Sequence, residues 1–244
     1  MTLSMTKRRL DQLVVDRGLA ETRERAQALI LAGQVSVNGQ KSSKPGHSIA
    51  EDARIEVAER MPYVSRGGFK LAAALDHFAM DVTGWTCLDV GASTGGFTDC
   101  LLQRGAASVW SIDVGHGQID WKLRNDPRVT VQEGVNARFL NTAQYPHFDL
   151  AVCDASFISV TMLIPAFVPL LKTPRRMIVL VKPQFEVGRA DVGKGGIVRD
   201  PSLHDAACER VQNAVEAQGL SSVIIASPIL GTEGNREFLL YGHD

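Results

Sequence analysis

The segment LDVGASTGGFT at residues 88–98 runs a strand-like stretch into Gly91, follows it with a short loop, and sets Gly95 and Gly96 at the mouth of a helix. Glycines let the backbone approach a ligand closely, and a helix N-terminus favours negative charge. Asp113 closes the next apolar run 22 residues beyond Gly91, where a carboxylate can bind ribose hydroxyls. Two cofactors suit this plan. Dinucleotide sites use G-x-G-x-x-G, whereas Ser93 stands at the second glycine here and the spacing is G-x-x-x-G-G. S-adenosylmethionine has no phosphate but carries a sulfonium and an amino group, and Asp89 offers a carboxylate at the first strand's end. A methyl donor therefore fits better than a nicotinamide. A glycine turn without a ligand is the plain alternative.

Four more charged residues sit against ends of apolar runs. Asp154 follows LAVC at 150–153, Lys182 follows MIVLV at 177–181, Glu237 precedes FLLY at 238–241, and Lys70 lies in a helix just ahead of the first strand. In open α/β sheets, ligands gather outside the carboxyl ends of the parallel strands. An antiparallel last strand brings its start, hence Glu237, to that same edge. Two lysines and two carboxylates then converge beside the methyl donor. Singly, each has an ordinary reading: a solvated strand-tip lysine, an Asp capping the next helix, a surface Glu.

The elements that must position these residues follow from periodicity. Apolar runs at 87–90, 109–112, 129–131, 150–153, 177–181, 223–226 and 238–241 alternate with helix-length stretches at 97–104, 117–123, 159–171 and 202–218. Such alternation specifies a seven-stranded, mainly parallel α/β sheet with helices on both faces. Residues 7–59 read as a separate small α+β unit. Leu10, Leu13, Val14 and Arg17 share a helix face ended by Gly18, and Thr22 caps a second helix with Ala26, Leu29 and Ile30 buried and Gly33 beyond its end. Val35 and Val37 lead into an Asn38-Gly39 hairpin turn, 41–45 is a loop, and 54–57 is a strand. The expected order is helix, helix, then short strands. Pro62 makes 60–63 a linker, and 64–244 forms the second domain.

The chain has 244 residues, 45% hydrophobic and 22% charged, with a net charge of −1, which excludes wholesale disorder and fibrous repeats. Its longest aliphatic run, 177–181, is far short of the roughly 20 residues of a membrane span. Cys87, Cys100, Cys153 and Cys208 are too scattered for paired metal ligands or a disulfide framework, so a reducing cytoplasm is expected and no metal site. Residues 1–70 hold 12 Lys/Arg against 8 Asp/Glu, while the remainder is acidic. A basic front on an acidic body suggests a polyanion-binding module. A monomer is the simplest expectation.

The set Lys70, Asp154, Lys182 and Glu237 resembles the K-D-K-E tetrad of FtsJ-like ribose 2′-O-methyltransferases. The segments RLDQLVVDRGL, VSRGGFKL, DVGASTGGFTD, CDASFIS, LVKPQFE and KGGIVRD, in that order between Arg9 and Asp200, resemble the TlyA (hemolysin A) family of ribosomal RNA methyltransferases, and the resemblance covers about residues 7–241. The resemblance implies an S4-type RNA-binding domain joined to a Rossmann-like class I methyltransferase sheet. It further implies S-adenosylmethionine as cofactor and a cytidine in 23S, with 16S as a further target. A non-catalytic RNA-binding assembly factor is the alternative, with a hemolysin behind it. On the implied chemistry Lys182, held neutral by nearby Lys70, accepts the 2′-hydroxyl proton, Asp154 orients it, and Glu237 and Lys70 position the ribose. The donor-binding candidates are Asp89, Gly91, Ser93, Thr94, Gly95, Gly96, Phe97, Asp113, Val114 and Asp154, and the resemblance adds Asn136 near the adenine. Phe157 packs on the adenine, on a target base, or in the core. For RNA, the candidates are Arg8, Arg9, Arg17, Arg23, Arg25, Lys41, Lys44 and Arg66, since phosphate contacts use such charges without reading sequence. A solvated charged face is the ordinary reading of these residues.

Overall fold

The computed structural model describes residues 6–58, 61–231 and 233–244. Two compact units divide the chain, Met1–Arg60 and Met61–Asp244. Of the expected linker and the end of the small domain, residues 59 and 60 lie outside the described residues.

The smaller unit runs β1 (Lys7–Arg9), α1 (Leu10–Asp16), α2 (Arg23–Leu31), β2 (Val35–Val37), β3 (Gln40–Ser42), β4 (Ser48–Ala50) and β5 (Ile55–Val57). Thr22 Oγ1 accepts the Arg25 N–H and caps α2. Asn38 and Gly39 both take positive φ, as a tight hairpin turn requires, and β3–β2–β5 form one small sheet. Leu10, Leu13 and Val14 pack on Ala26, Leu29 and Ile30. The expected order needs correction, because β1 precedes the helices and pairs antiparallel with β4. Part of the expected 41–45 loop is also strand. These strands are three residues long and mostly exposed, so they carry little apolar alternation to read.

Asp11 is fully buried at the start of α1. Its carboxylate accepts hydrogen bonds from Arg9 Nε at 3.0 Å, Arg23 Nε at 3.0 Å and Gln27 Nε2 at 2.9 Å. The Arg9 guanidinium, with help from Gln27 and Arg23, holds this carboxyl far below the usual range. Its stabilisation is therefore complete above about pH 4 and is lost as acid protonates the group in the folded state. Asp11→Asn should cost about 2 kcal/mol at pH 7, because hydrogen bonds to a charged group are lost while both arginines remain hydrated. Denaturation of wild type and variant across pH checks this: the gap should shrink below pH 4.

In the larger unit α3 (Gly67–His77), β6 (Thr86–Val90), α4 (Gly96–Gln103), β7 (Ser108–Asp113), α5 (Trp121–Arg124), β8 (Val129–Glu133), β9 (Leu150–Cys153) and α6 (Ile164–Phe167) come first. Then follow β10 (Arg176–Val181), α7 (Pro183–Glu186), α8 (Pro201–Glu216), β11 (Ser221–Ala226) and β12 (Phe238–His243). The seven strands lie in the order β11-β12-β10-β9-β6-β7-β8. β12 is antiparallel to both neighbours, and the other pairings are parallel. Successive residues alternate between two cores: Val179 and Val181 enter one, Ile178 and Leu180 the other. Helix 159–171 is broken into 3-10 turns around the short α6, because Pro165 and Pro169 lack the amide hydrogens a continuous helix needs. The stretch 117–123 likewise yields only α5.

Candidate active site

The chain folds β6–β7–β8 to one side and then returns to lay β9 against the other edge of β6, so the strand order reverses between β6 and β9. A crevice opens outside their carboxyl ends. Val90 pairs with Cys153 and Val181 with Phe238. Register therefore places Gly91 beside Asp154, and Lys182 beside Glu237.

Side chains complete the arrangement. Lys182 Nζ lies 2.6 Å from Asp154 Oδ1 and donates to Ser156 Oγ at 2.8 Å. Lys70, buried on α3, donates to Glu237 Oε2 at 2.5 Å. All four residues line one cavity of about 260 Å³, with Asp89, Thr94 and Phe97 in the same wall. Lys182 lies against Asp154 and Lys70 against Glu237. Each lysine has its own carboxylate, so Lys70 does not present an unopposed charge.

Asp89 closes the floor. It is completely buried, and its Oδ2 accepts from Thr98 N at 3.0 Å and Thr98 Oγ1 at 2.6 Å. Its Oδ1 is buried with no hydrogen-bond partner among the described residues, and burial pushes the carboxyl up to about 7. A buried polar atom without a partner is costly, and a cationic ligand group would relieve it. Gly91, at φ +80°, lies so close to the next loop that a Cβ would sit 3.0 Å from Ala155 Cα. Both features fit the methyl donor: a carboxylate for a cationic group and a backbone cleared for close approach. Gly91→Ala should weaken donor binding at least tenfold, since left-handed backbone and the Ala155 contact both oppose the side chain. Isothermal titration with S-adenosylmethionine checks it.

A second cavity of about 440 Å³ shares Gly91, Ser93, Asp154 and Ser156 with the first and holds Asp113, Val114 and Asn136. Asp113 Oδ2 accepts the Ser93 N–H at 2.8 Å and its Oδ1 the Gly115 N–H at 2.7 Å. These bonds aim the carboxylate and leave lone pairs for a ligand. Asn136 Oδ1 accepts the Arg138 N–H, and Val114 is exposed at the rim. Gly95 lines neither cavity. At φ +92° it turns the chain into α4, and a Cβ there would meet Leu123 at 2.3 Å. Gly96 and Phe97 are buried at the start of α4 beside the first cavity. Phe157 is 92% exposed, so it is not core. It stands at φ +65° with Phe185 5.4 Å away.

Several residues escaped the sequence reading. Ser65 and Gly67 line the first cavity, and a Cβ on Gly96 would strike Ser65 Oγ. Asp99, buried in α4, accepts the Val64 N–H at 2.9 Å and pins the entry to α3. Small residues clustered in SRGG were the available signal.

The basic candidates divide. Arg9 and Arg23 serve Asp11, Arg8 pairs with Asp16 at 2.5 Å, and Arg17 donates to the carbonyls of Ala53 and Glu51. Arg25, Lys41 and Lys44 are exposed and make no ion pair with a described residue. Arg66 lines the first cavity.

The family model described as FtsJ-like methyltransferase matches residues 63–243, and the S4 domain model matches residues 8–55. A Mycobacterium tuberculosis protein named 16S/23S rRNA (cytidine-2′-O)-methyltransferase TlyA is 46% identical, over 96% of this chain and 88% of its own length. Hemolysin A of Brachyspira hyodysenteriae is 43% identical, over 96% and 98%. A solved chain from Streptococcus thermophilus with a provisional hemolysin name superposes with a TM-score of 0.74 at 42% identity, over 99% of this chain and 90% of that one.

Proposed function

The chain belongs to the FtsJ-like methyltransferase family and carries an S4 domain, and from that premise we propose that it methylates the ribose 2′-hydroxyl of a cytidine in ribosomal RNA, using S-adenosylmethionine. The observation that carries this reading is the convergence of two lysine–carboxylate pairs, Lys182–Asp154 and Lys70–Glu237, in one cavity with the unpartnered Asp89 oxygen.

The donor supplies a methyl group on a positively charged sulfur. A ribose hydroxyl is a poor acid, so its proton must leave as the oxygen bonds to carbon. Lys182 Nζ, 2.6 Å from Asp154 Oδ1, is the acceptor of that proton in this reading. Asp154 receives an N–H of the ammonium that forms, and Ser156 holds the nitrogen on the other side. The oxygen's lone pair makes the O–C bond while the S–C pair returns to sulfur, which loses its charge. Lys70 and Glu237 fix the far wall and hold the ribose in line, and much of the rate comes from that alignment. Asp89 takes a cationic group of the donor, and Asp113 takes the donor's ribose.

The exposed Arg25, Lys41 and Lys44 of the S4 unit hold RNA phosphates, while Arg9, Arg17 and Arg23 shape the unit that presents them. Arg66 faces the substrate at the cavity wall. Rim-exposed Phe157 meets the target nucleotide.

No helix among the described residues is long and apolar enough to cross a membrane. The test is transfer of labelled methyl to ribosomal subunits purified from cells lacking this protein, with both subunits assayed because the Mycobacterium tuberculosis relative is named for both RNAs. Label in ribose-methylated cytidine is the expected result. RNA binding without transfer would leave a non-catalytic assembly role instead.

A further inference from the structure

We propose that Asn235 is a positioning residue that sets the direction of the Glu237 carboxylate, by clamping the turn ahead of β12 to the glycine-rich loop at 193–198. The proposal rests on the reading of Glu237 as part of the active site.

Asn235 is 1% exposed and spends its whole amide on this loop. Its Oδ1 accepts the Val198 N–H at 2.9 Å, and its Nδ2 donates to the Gly196 carbonyl at 2.8 Å. The Val198 carbonyl in turn accepts from His204 Nε2 at 2.9 Å, on α8. Otherwise the loop closes on itself, through Gly193 N–H to Ile197 O and Gly196 N–H to Gly193 O. One side chain therefore bolts the turn to the loop, and His204 bolts the loop to a long helix.

The turn's other bonds reach Glu237. The Asn235 carbonyl accepts the Gly231 N–H at 2.9 Å, and the Glu237 carbonyl accepts the Ser227 N–H at 2.9 Å. Gly231 is the surface on which the carboxylate rests: a Cβ there would lie 2.4 Å from Glu237 Oε1. Lys70 holds the other oxygen, Oε2. The carboxylate is thus confined between Lys70 and the Gly231 backbone, and Asn235 sets where that backbone stands. An unpaired N–H at buried Val198, a freed Gly196 carbonyl and freedom at Gly231 follow from removing the Asn235 side chain.

The test is a double-mutant cycle on the single-turnover methyl-transfer rate at saturating donor, with the full chain and ribosomal RNA. Asn235→Ala should slow transfer about ten- to a hundredfold, the cost of a small misplacement of an aligned group, while donor affinity by calorimetry stays within about twofold. In the Asn235→Ala/Glu237→Gln double variant the rate should match Glu237→Gln alone within about twofold, because the effect passes through that carboxylate. A residue that only stabilises the loop would give multiplicative losses. Gly231→Ala repeats the cycle with Asn235 intact, and carries the test if Asn235→Ala does not fold. Its Cβ pushes Glu237 Oε1 from the opposite side, and its loss should likewise vanish in the Glu237→Gln background. Multiplicative losses, or wild-type rates in both single variants, overturn the proposal while leaving the active-site reading intact. A wild-type rate for Glu237→Gln overturns both.

Discussion

Lys182→Ala should lower single-turnover methyl transfer about a thousandfold, the scale of a lost general base, and leave S-adenosylmethionine affinity nearly unchanged. The nitrogen lies 2.6 Å from Asp154 and 2.8 Å from Ser156, so it is held in the cavity rather than swinging in solvent. Its loss removes a proton acceptor, whereas the unpartnered Asp89 oxygen remains in place. Lys182→Arg separates the two ways a lysine can act. Arginine keeps the positive charge and the partnership with Asp154, but it does not release a proton in proteins. If Lys182 is the base, Lys182→Arg is as slow as Lys182→Ala. If the residue serves only as a cation, Lys182→Arg restores most of the rate.

The second large effect concerns Asp89. Its carboxyl sits near 7 because burial disfavours the charged form, and one oxygen has no partner. Below about pH 4 the folded and unfolded chains both carry the proton. Between pH 4 and 7 the folded protein keeps a proton that the unfolded chain has lost, so this group erodes stability as pH rises, with the cost complete above 7. Asp89→Asn should therefore raise Tm of the donor-free protein at pH 8, with the gain fading toward pH 4. The same substitution should weaken donor binding ten- to a hundredfold, since a hydrogen bond to a charged group contributes about 1.5–3 kcal/mol. Wild-type affinity should fall below about pH 7, where Asp89 takes up its proton, and the variant's should not. Calorimetry and thermal melts over pH 5–8 test both halves. A variant that is less stable at pH 8 and binds donor normally would remove Asp89 from the site.

Much of this site was legible because strand-end arithmetic is robust. Asp154 and Lys182 follow apolar runs and Glu237 precedes one, so parallel strands with one antiparallel return force all three to a single edge. What sequence does not encode is which charge meets which. Lys70 pairs with Glu237 rather than lying against Lys182, and that choice depends on register and on the angle of α3, set by Asp99 and the SRGG segment. The small unit shows the same limit. Counting basic residues did not distinguish Arg23, which serves buried Asp11, from exposed Arg25 two positions on. Nor did periodicity reveal β1 and β4, whose three residues apiece show no readable alternation. In residues 159–171 an apolar pattern of helical length concealed Pro165 and Pro169, which the backbone could not ignore.

One measurement bears most directly on the claim that these four side chains form a ribose-methylating centre. Ribosomal RNA is digested to nucleosides after expressing wild-type protein or Lys182→Ala in cells lacking the native chain, and 2′-O-methylcytidine is mapped by mass spectrometry. The expected result is a cytidine ribose methyl that appears with wild type and is missing with Lys182→Ala. A methyl group on a base, or the same ribose mark at equal level with the variant, would contradict it.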